Sequence, residues 1–362
     1  MYYRGLEEKI IKDCLMVREK ENILICGNEF AFELIESLQK EIRKVNGIDT
    51  VVNWSDRIMV NLIKNLGPLS AASRIMPVFK DSFQFLHMQT KADKIIIILP
   101  PVDNYMNFLS VNPSLQLFEL TCLKNLFQLQ LSCVPGIILD YPFDTNTKRR
   151  LSGEAFDSLI NVYRNSVDMD FHVIRNLNKK LVPFLTEGRK VIITSDYGTE
   201  LTFMIEGRTP CEEEGMTGFQ TSFCQVPGGE VFISPVEETV NGIYMIDISG
   251  YGFNFGLKFK DGICVEIVSD KEYEKEAKHI MTDMGIFGER AGEFGIGTNP
   301  AAKPLLIGTI SEKALGTIHI ALGENRPYGG KHASPIHYDF VSTCNNVFID
   351  GKQIIEYGNI IV

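Results

Sequence analysis

Most familiar signatures of mechanism are missing from this 362-residue chain. No Gly-x-Ser-x-Gly elbow occurs, and none of the eight cysteines sits in a nucleophile-like setting, so the common serine and cysteine hydrolase readings lose their support. No Gly-x-Gly-x-x-Gly or phosphate-loop pattern follows the first strand-like run, where CGNEF (26–30) stands instead; nucleotide binding is therefore not expected. Cys-x-x-Cys pairs are absent as well. Several cysteines lie in apolar runs such as ILIC and GICVEI, which suits small buried side chains in a reducing, cytoplasmic setting rather than disulfides or zinc clusters. The opening MYYRGLEEKIIKDCL lacks the basic-then-apolar pattern of a signal peptide. No apolar run approaches the ~18–20 residues of a spanning helix, and KIIIILPPV stops at its prolines, so no membrane partner is expected. Basic residues are outnumbered, with 36 Lys and Arg against 46 Asp and Glu. The formal charge of −10 argues against a general nucleic-acid or anionic-membrane surface.

What is present is an ordinary globular composition, 44% hydrophobic and 23% charged, in a chain long enough for two domains. Residues 1–150 alternate strand-like and helix-like segments. ENILICG (21–27), DTVVNW (49–54), KADKIIIILPP (91–101) and VPGIILDYP (134–142) read as strands. Between the first two, Phe30, Phe32, Leu34, Ile35, Leu38 and Ile42 recur at near-helical spacing, with Asn28 as a candidate N-cap. Strands apolar throughout, separated by helices, predict an α/β domain with a mainly parallel sheet covered on both faces. Residues 151–188 predict a helical connection, with a Ser152-Gly-Glu-Ala start as its cap and His172 as a packed or surface side chain.

From Arg189 the pattern becomes that of glycine-punctuated strands, so 189–362 predict a β-rich α+β domain. RKVIITSDYGTELTFMIEGR reads as two strands joined at Asp196-Tyr-Gly. Asp261-Gly262 and Asp350-Gly351 are Asp-Gly hairpin signals. One charged helix is expected at 271–285, with His279 solvated. Glu212-Glu213-Glu214 reads as a solvated acidic loop, and Glu237-Glu238 as adjacent side chains on opposite faces of a strand.

The segment with most chemical character is GTIHIALGENRPYGGKHASPIHYDF (316–340), which holds His319, His332 and His337, three of the six histidines. His319 lies in an apolar run that reads as a buried strand. A lone histidine there is more often a hydrogen-bonded core residue than a ligand. His337 and Asp339 are two apart, so on a second strand they leave from one face. A glycine-rich loop can return that strand beside the first, and imidazole aimed with carboxylate at one point suits a divalent metal. Glu230 follows a Pro-Gly-Gly turn and opens a strand, where exposure is equally ordinary. Glu293 sits among small residues in AGEFGIGTNP, as a loop glutamate or as one approached closely by a ligand.

Taken in order, GTELTF (198–203), GGEVFISPVE (228–237) with VNG (240–242), the Gly-x-Gly-Thr-Asn-Pro run (295–300), HIALG (319–323) and SPIHYDF (334–340) resemble the aminopeptidase T, aminopeptidase S and PepS family of metallopeptidases. The resemblance spans most of 190–340, and the chain looks closer to a shorter branch of that family than to its long aminopeptidases. It implies a homodimer acting on peptides. It also implies a cocatalytic pair of divalent ions (zinc, cobalt or manganese) held by Glu230, Glu293, His319, His337 and Asp339. Glu293 or Glu312 would accept the proton of the attacking water, and Tyr328 would donate a hydrogen bond to the developing oxyanion. The stretch between His319 and His337 is shorter than in the long aminopeptidases, and Tyr328 is the nearest tyrosine to the family's position. A related branch resembles 2,5-dihydroxypyridine dioxygenases, for which His319, His337 and Asp339 would hold one iron. A descendant that only binds a small molecule is the third alternative.

Overall fold

The structure is a computed structural model that describes residues 5–27, 31–53, 91–99, 134–141, 153–217, 223–248, 253–278, 288–305, 310–334 and 337–362. Expectations for Asn28, Phe30, Trp54, Ser152 and His279 lie outside these residues. The chain divides into two compact units. One comprises Met1–Asp168 with Glu213–Gly228, the other Met169–Glu212 with Gly229–Val362.

In the first unit a short helix, α1 (Leu6–Lys9), runs into a π-helical turn at Ile10–Cys14. The apolar runs then form β1 (Asn22–Gly27), β2 (Ile48–Asn53), β3 (Lys94–Leu99) and β4 (Gly136–Asp140). Helix α2 (Phe32–Lys44) buries Leu34, Ile35, Leu38 and Ile42, as the spacing predicts. Phe32 departs from that expectation and stays 56% exposed, because it opens the helix on its outer side. Helix α3 (Gly153–Asp168) closes the first stretch of this unit.

The second unit starts with α4 (Phe171–Glu187), whose N-cap Asp170 accepts a hydrogen bond from the backbone N–H of exposed His172 at 2.9 Å. Next come β5 (Lys190–Thr194), β6 (Glu200–Met204) and β7 (Cys211–Glu213). The chain then returns to the first unit for β8 (Phe223–Val226). Sheet order there is β2-β1-β3-β4-β8, and every pairing in it is parallel. The chain is thus an α/β protein, as expected.

The rest of the second unit consists of β9 (Glu230–Ile233), β10 (Asn241–Ile246), β11 (Phe255–Lys260), β12 (Ile263–Ser269), β13 (Ala291–Gly297), α5 (Ile310–Lys313), β14 (Ile318–Gly323), β15 (His337–Ser342), β16 (Asn346–Ile349), β17 (Lys352–Glu356) and β18 (Asn359–Ile360). Asp261 and Gly262 (φ 51° and 80°) turn β11 into β12, and Asp350 and Gly351 (φ 48° and 82°) turn β16 into β17. Positive φ at both central positions is the turn that Asp-Gly favours. Two largely antiparallel sheets result, ordered β12-β11-β10-β6-β5-β16-β17-β18 and β15-β14-β13-β9-β7. Their apolar faces share one core that includes Val191, Phe203, Tyr244, Phe294, Ile320 and Phe340.

Two local expectations are corrected. Glu212, Glu213 and Glu214 are all buried, and Glu213 accepts a hydrogen bond from the backbone N–H of Gln225. Glu237 and Glu238 lie in a 3-10 turn (Glu237–Thr239), not on a strand, with Glu237 buried and Glu238 exposed. In both places a run of acidic residues resembles a solvated loop, but a carboxylate can be buried where the fold supplies hydrogen-bond donors.

Candidate metal centre

The five-stranded sheet has two faces of opposite character because its side chains alternate. Val231, Ile233, Phe294, Ile296, Ile318, Ile320, Leu322 and Phe340 enter the core. The alternate positions, Glu230, Glu293, His319, His337 and Asp339, therefore leave from the other face. Register then brings them together. Glu230 opposes Gly297, His319 opposes Gly295, Asp339 opposes Ala321 and His337 opposes Gly323. Each acidic or imidazole side chain thus faces a small residue across the ladder, which leaves room above the sheet. At Gly295 the need is direct, since a Cβ there would lie 2.1 Å from His319 Cε1 and Nε2. A register shift between Ala291 and Glu293, at Gly292, precedes Glu293 on β13.

The side chains form a continuous row. His337 Nε2 lies 3.2 Å from Asp339 Oδ1 and 3.4 Å from Glu293 Oε2. The other oxygen of Glu293 lies 3.2 Å from His319 Nε2, which is 3.6 Å from Glu230 Oε2. Glu230 Oε1 accepts from Lys313 Nζ at 2.5 Å, and the same ammonium is 3.1 Å from Glu312 Oε1. Glu230, Glu293, Glu312, Lys313, His319 and His337 are buried, and Asp339 is partly exposed. Donor atoms of Glu293, His337 and Asp339 all lie within 4.8 Å of one another. Among the described residues no other set of three His, Cys, Asp or Glu side chains meets this closely.

The surroundings orient these groups. His337 Nδ1–H donates to the Glu324 carbonyl at 2.8 Å, which turns the Nε2 lone pair toward the two carboxylates. Glu324 is itself held by Arg326 and by the backbone N–H of Ser334. Burial works to raise the Glu324 pKa, but these donors outweigh it and hold the carboxyl below its ordinary value. Asn178 donates to the Glu230 carbonyl at 3.3 Å and accepts from Thr298 at 2.7 Å, tying β9 to the Thr-Asn-Pro segment.

Tyr328 lies in a 3-10 turn (Arg326–Tyr328), buried, with its ring edge-on to His337 at 5.4 Å and to Phe232 at 5.0 Å. Its loop is folded around Asn325, which accepts from the His332 N–H at 2.8 Å and donates to Glu237 at 2.8 Å. Glu237 also accepts from Arg208 at 2.5 Å and from the Lys331 N–H at 2.7 Å, and Arg208 donates to the Gly329 carbonyl. His332 contributes here through its backbone.

The metal and catalytic candidates Glu230, Glu293, Glu312, His319, Tyr328, His337 and Asp339 therefore lie in or beside one cluster. Sequence reasoning missed Lys313, Asn178, Glu237 and Asn325. Lys313 follows a glutamate in a short polar stretch, SEK, and so reads as surface. Glu237 and Asn325 stand in or next to the motif runs but have no spacing signal of their own.

A parallel α/β unit joined to an antiparallel one, whose sheet collects carboxylates and imidazoles on one face, suits the class of metal-dependent proteins. The family is more particular. Residues 168–351, half of the chain, match the thermophilic metalloprotease (M29) family, and the chain belongs to it. AmpT from Thermus thermophilus has the same fold, with a TM-score of 0.71 and 17% identity over 100% of both chains. So does the 2,5-dihydroxypyridine dioxygenase of Pseudomonas putida KT2440, with a TM-score of 0.65 and 13% identity over 99% of this chain and 96% of that one. No curated protein matches the sequence. Among the described residues no helix is long and apolar enough to cross a membrane.

Proposed function

We propose that this chain is a metal-dependent aminopeptidase that releases N-terminal residues from peptides. The carrying observation is the convergence of Glu293, His337 and Asp339 within 4.8 Å, in a member of a metalloprotease family. An imidazole lone pair and two carboxylates pointed at one place repel one another unless a cation lies between them, so these residues fit a divalent ion. They suit zinc, cobalt or manganese. His319 and Glu230 continue the donor set along the sheet.

A metal held there supplies a nucleophilic water near neutral pH and polarises the scissile carbonyl. The remaining work falls to the chain's own groups. Glu293 or Glu312, the latter 3.1 Å from the Lys313 ammonium, accepts the proton of the attacking water. Tyr328, braced against the His337 ring, donates to the developing oxyanion. Four carboxylates beside one ammonium make a pocket that attracts a free α-amine, which restricts cleavage to the first peptide bond. The likeness to AmpT (aminopeptidase T) supports that restriction. A homodimer in the cytoplasm belongs to the same proposal.

The test is release of N-terminal residues from short peptides by metal-loaded protein, with Glu230→Ala, His337→Ala and Asp339→Ala as variants. Each is expected to abolish metal-dependent release, and full activity in folded His337→Ala would overturn the proposal. Iron as the bound metal, with oxygen uptake on a dihydroxypyridine, would instead support the ring-cleaving alternative.

A further inference from the structure

We infer that Glu237 is a positioning residue for Tyr328: together with Arg208 and Asn325 it clamps the loop that holds the tyrosine ring against His337. This inference rests on the proposal that Tyr328 donates to the developing oxyanion.

The loop closes on itself around one side chain. The backbone N–H of Asn325 donates to the His332 carbonyl at 3.2 Å, and the His332 N–H returns to Asn325 Oδ1 at 2.8 Å. Inside that ring the Asn325 carbonyl accepts from the N–H groups of Tyr328 at 3.0 Å and Gly330 at 2.9 Å. Gly330 gives the side-chain amide its place, since a Cβ there would lie 2.0, 2.2 and 2.3 Å from Asn325 Cγ, Oδ1 and Nδ2. Asn325 is fully buried, and its Nδ2 donates to Ser234 Oγ at 2.9 Å and to Glu237 Oε1 at 2.8 Å. Ser234 directly follows β9, the strand that carries Glu230 and the Phe232 ring against which Tyr328 rests.

The clamp is anchored outside the loop. The turn that carries Glu237 is tied to the end of β6, where the Val236 N–H donates to the Met204 carbonyl and the Met204 N–H to Thr239 Oγ1, both at 2.8 Å. From that base Glu237 Oε1 also accepts from the Lys331 N–H at 2.7 Å, and Oε2 accepts from Arg208 Nη2 at 2.5 Å. Arg208 Nη1 goes on to the Gly329 carbonyl, so one planar guanidinium fixes carboxylate and loop together. Side-chain exposure is only 9% for Arg208 and 4% for Glu237. A buried ion pair adds little net stability over apolar side chains of the same volume, because lost hydration offsets its attraction. Its directional bonds instead select one loop conformation, here the one in which the Tyr328 ring sits 5.4 Å from that of His337.

Two readouts on full-length protein test this, kinetics and amide exchange. In manganese-loaded protein, on the short peptide that the unaltered chain cleaves fastest, Glu237→Gln is expected to lower kcat by roughly 100-fold, as for ~1 Å of displacement. KM and metal content should stay constant. In a Tyr328→Phe background the same change should lower kcat by less than about 2-fold, since its effect passes through the tyrosine. In metal-free protein, amides of 328–332 should exchange roughly 10-fold faster in Glu237→Gln while those of β14 keep their rate. Unchanged kcat in Glu237→Gln, losses that multiply in the double variant, or equal acceleration in β14 would overturn the clamp and leave the metallopeptidase proposal standing. Unchanged kcat in Tyr328→Phe would overturn the tyrosine's role and the inference with it. Absence of any peptide cleavage by the unaltered protein would overturn both proposals. Should Glu237→Gln fail to fold, Arg208→Lys carries the same cycle and the same refutations, since lysine keeps the charge but lacks the planar fork that reaches Glu237 and Gly329 together.

Discussion

Gly295→Ala adds one methyl group to a residue that carries no functional atom, and so isolates the geometry of the cluster from its chemistry. The new Cβ would meet His319 Cε1 and Nε2 at 2.1 Å and Cδ2 at 2.9 Å, where ordinary contact is 3.4–4 Å. The imidazole must therefore retreat by roughly 1 Å or more, because nothing softer than the ring lies in the way. His319 is fully buried on β14, and its Nε2 sits 3.2 Å from Glu293 and 3.6 Å from Glu230. A shift of that size breaks both contacts and unsettles Glu293. Overpacking costs about 1–3 kcal/mol, and each kcal/mol lowers Tm by roughly 2–4 °C in a unit of this size. Misplacing a catalytic array by ~1 Å costs on the order of 100-fold in rate. Calorimetry, metal content and kcat/KM on one preparation would read all three effects. Gly153→Ala is the control. Gly153 begins α3 without a left-handed φ and with no atom within 4 Å of its added Cβ, so the change should be neutral or stabilising by about 0.4–1 kcal/mol. If Gly295→Ala matched the unaltered protein in Tm, metal content and kcat/KM, the argument that small residues hold the site open would be wrong.

Other perturbations probe the supports. Tyr328→Phe should lower kcat by about 100- to 1,000-fold while metal content stays constant, as for loss of one oxyanion donor; unchanged kcat would remove Tyr328 from the chemistry. The Tyr244 hydroxyl bridges β14 and β15, 3.0 Å from the Ile318 carbonyl and 3.1 Å from that of Phe340, and accepts from Ser342 at 2.9 Å. Tyr244→Phe leaves those buried groups short of a partner and should cost about 1–3 kcal/mol by denaturant unfolding. Burial works to raise the Glu237 pKa, but the Lys331 N–H, Asn325 and Arg208 hold it below the ordinary 4.5. A depressed folded-state pKa stabilises above the unfolded value and is lost as pH falls through the folded one. Stability should therefore decline below about pH 4.5, and Glu237→Gln should flatten that decline while lowering stability at neutral pH. A Glu237→Gln profile parallel to that of the unaltered protein would contradict this account.

Strand identity and the sides of strands were legible because they depend on local alternation. Ile318, Ile320 and Leu322 alternate with His319, Ala321 and Gly323, and that alone separates a core face from a site face. The Asp-Gly turns were equally local, since positive φ at both positions is a property of the dipeptide and its flanks. The clustering of His319, His337 and Asp339 followed from two adjacent strands and a short return. What neighbouring residues could not convey was which distant groups complete the row. Glu230 reaches His319 because β9 pairs with β13 and β13 with β14. Glu237 meets Asn325 across 88 residues of chain and Lys331 across 94. A carboxylate near glycine reads alike whether it faces water or a metal, and a lysine beside a glutamate reads as solvated surface. The return of Glu213–Gly228 to the first sheet had no local signature either. By itself the sequence determined the parallel and antiparallel units, the two-faced strands and the family. Tertiary structure decided which charges meet, above all that the Lys313 ammonium lies on Glu230, because burial and pairing belong to the folded chain rather than to any stretch of it.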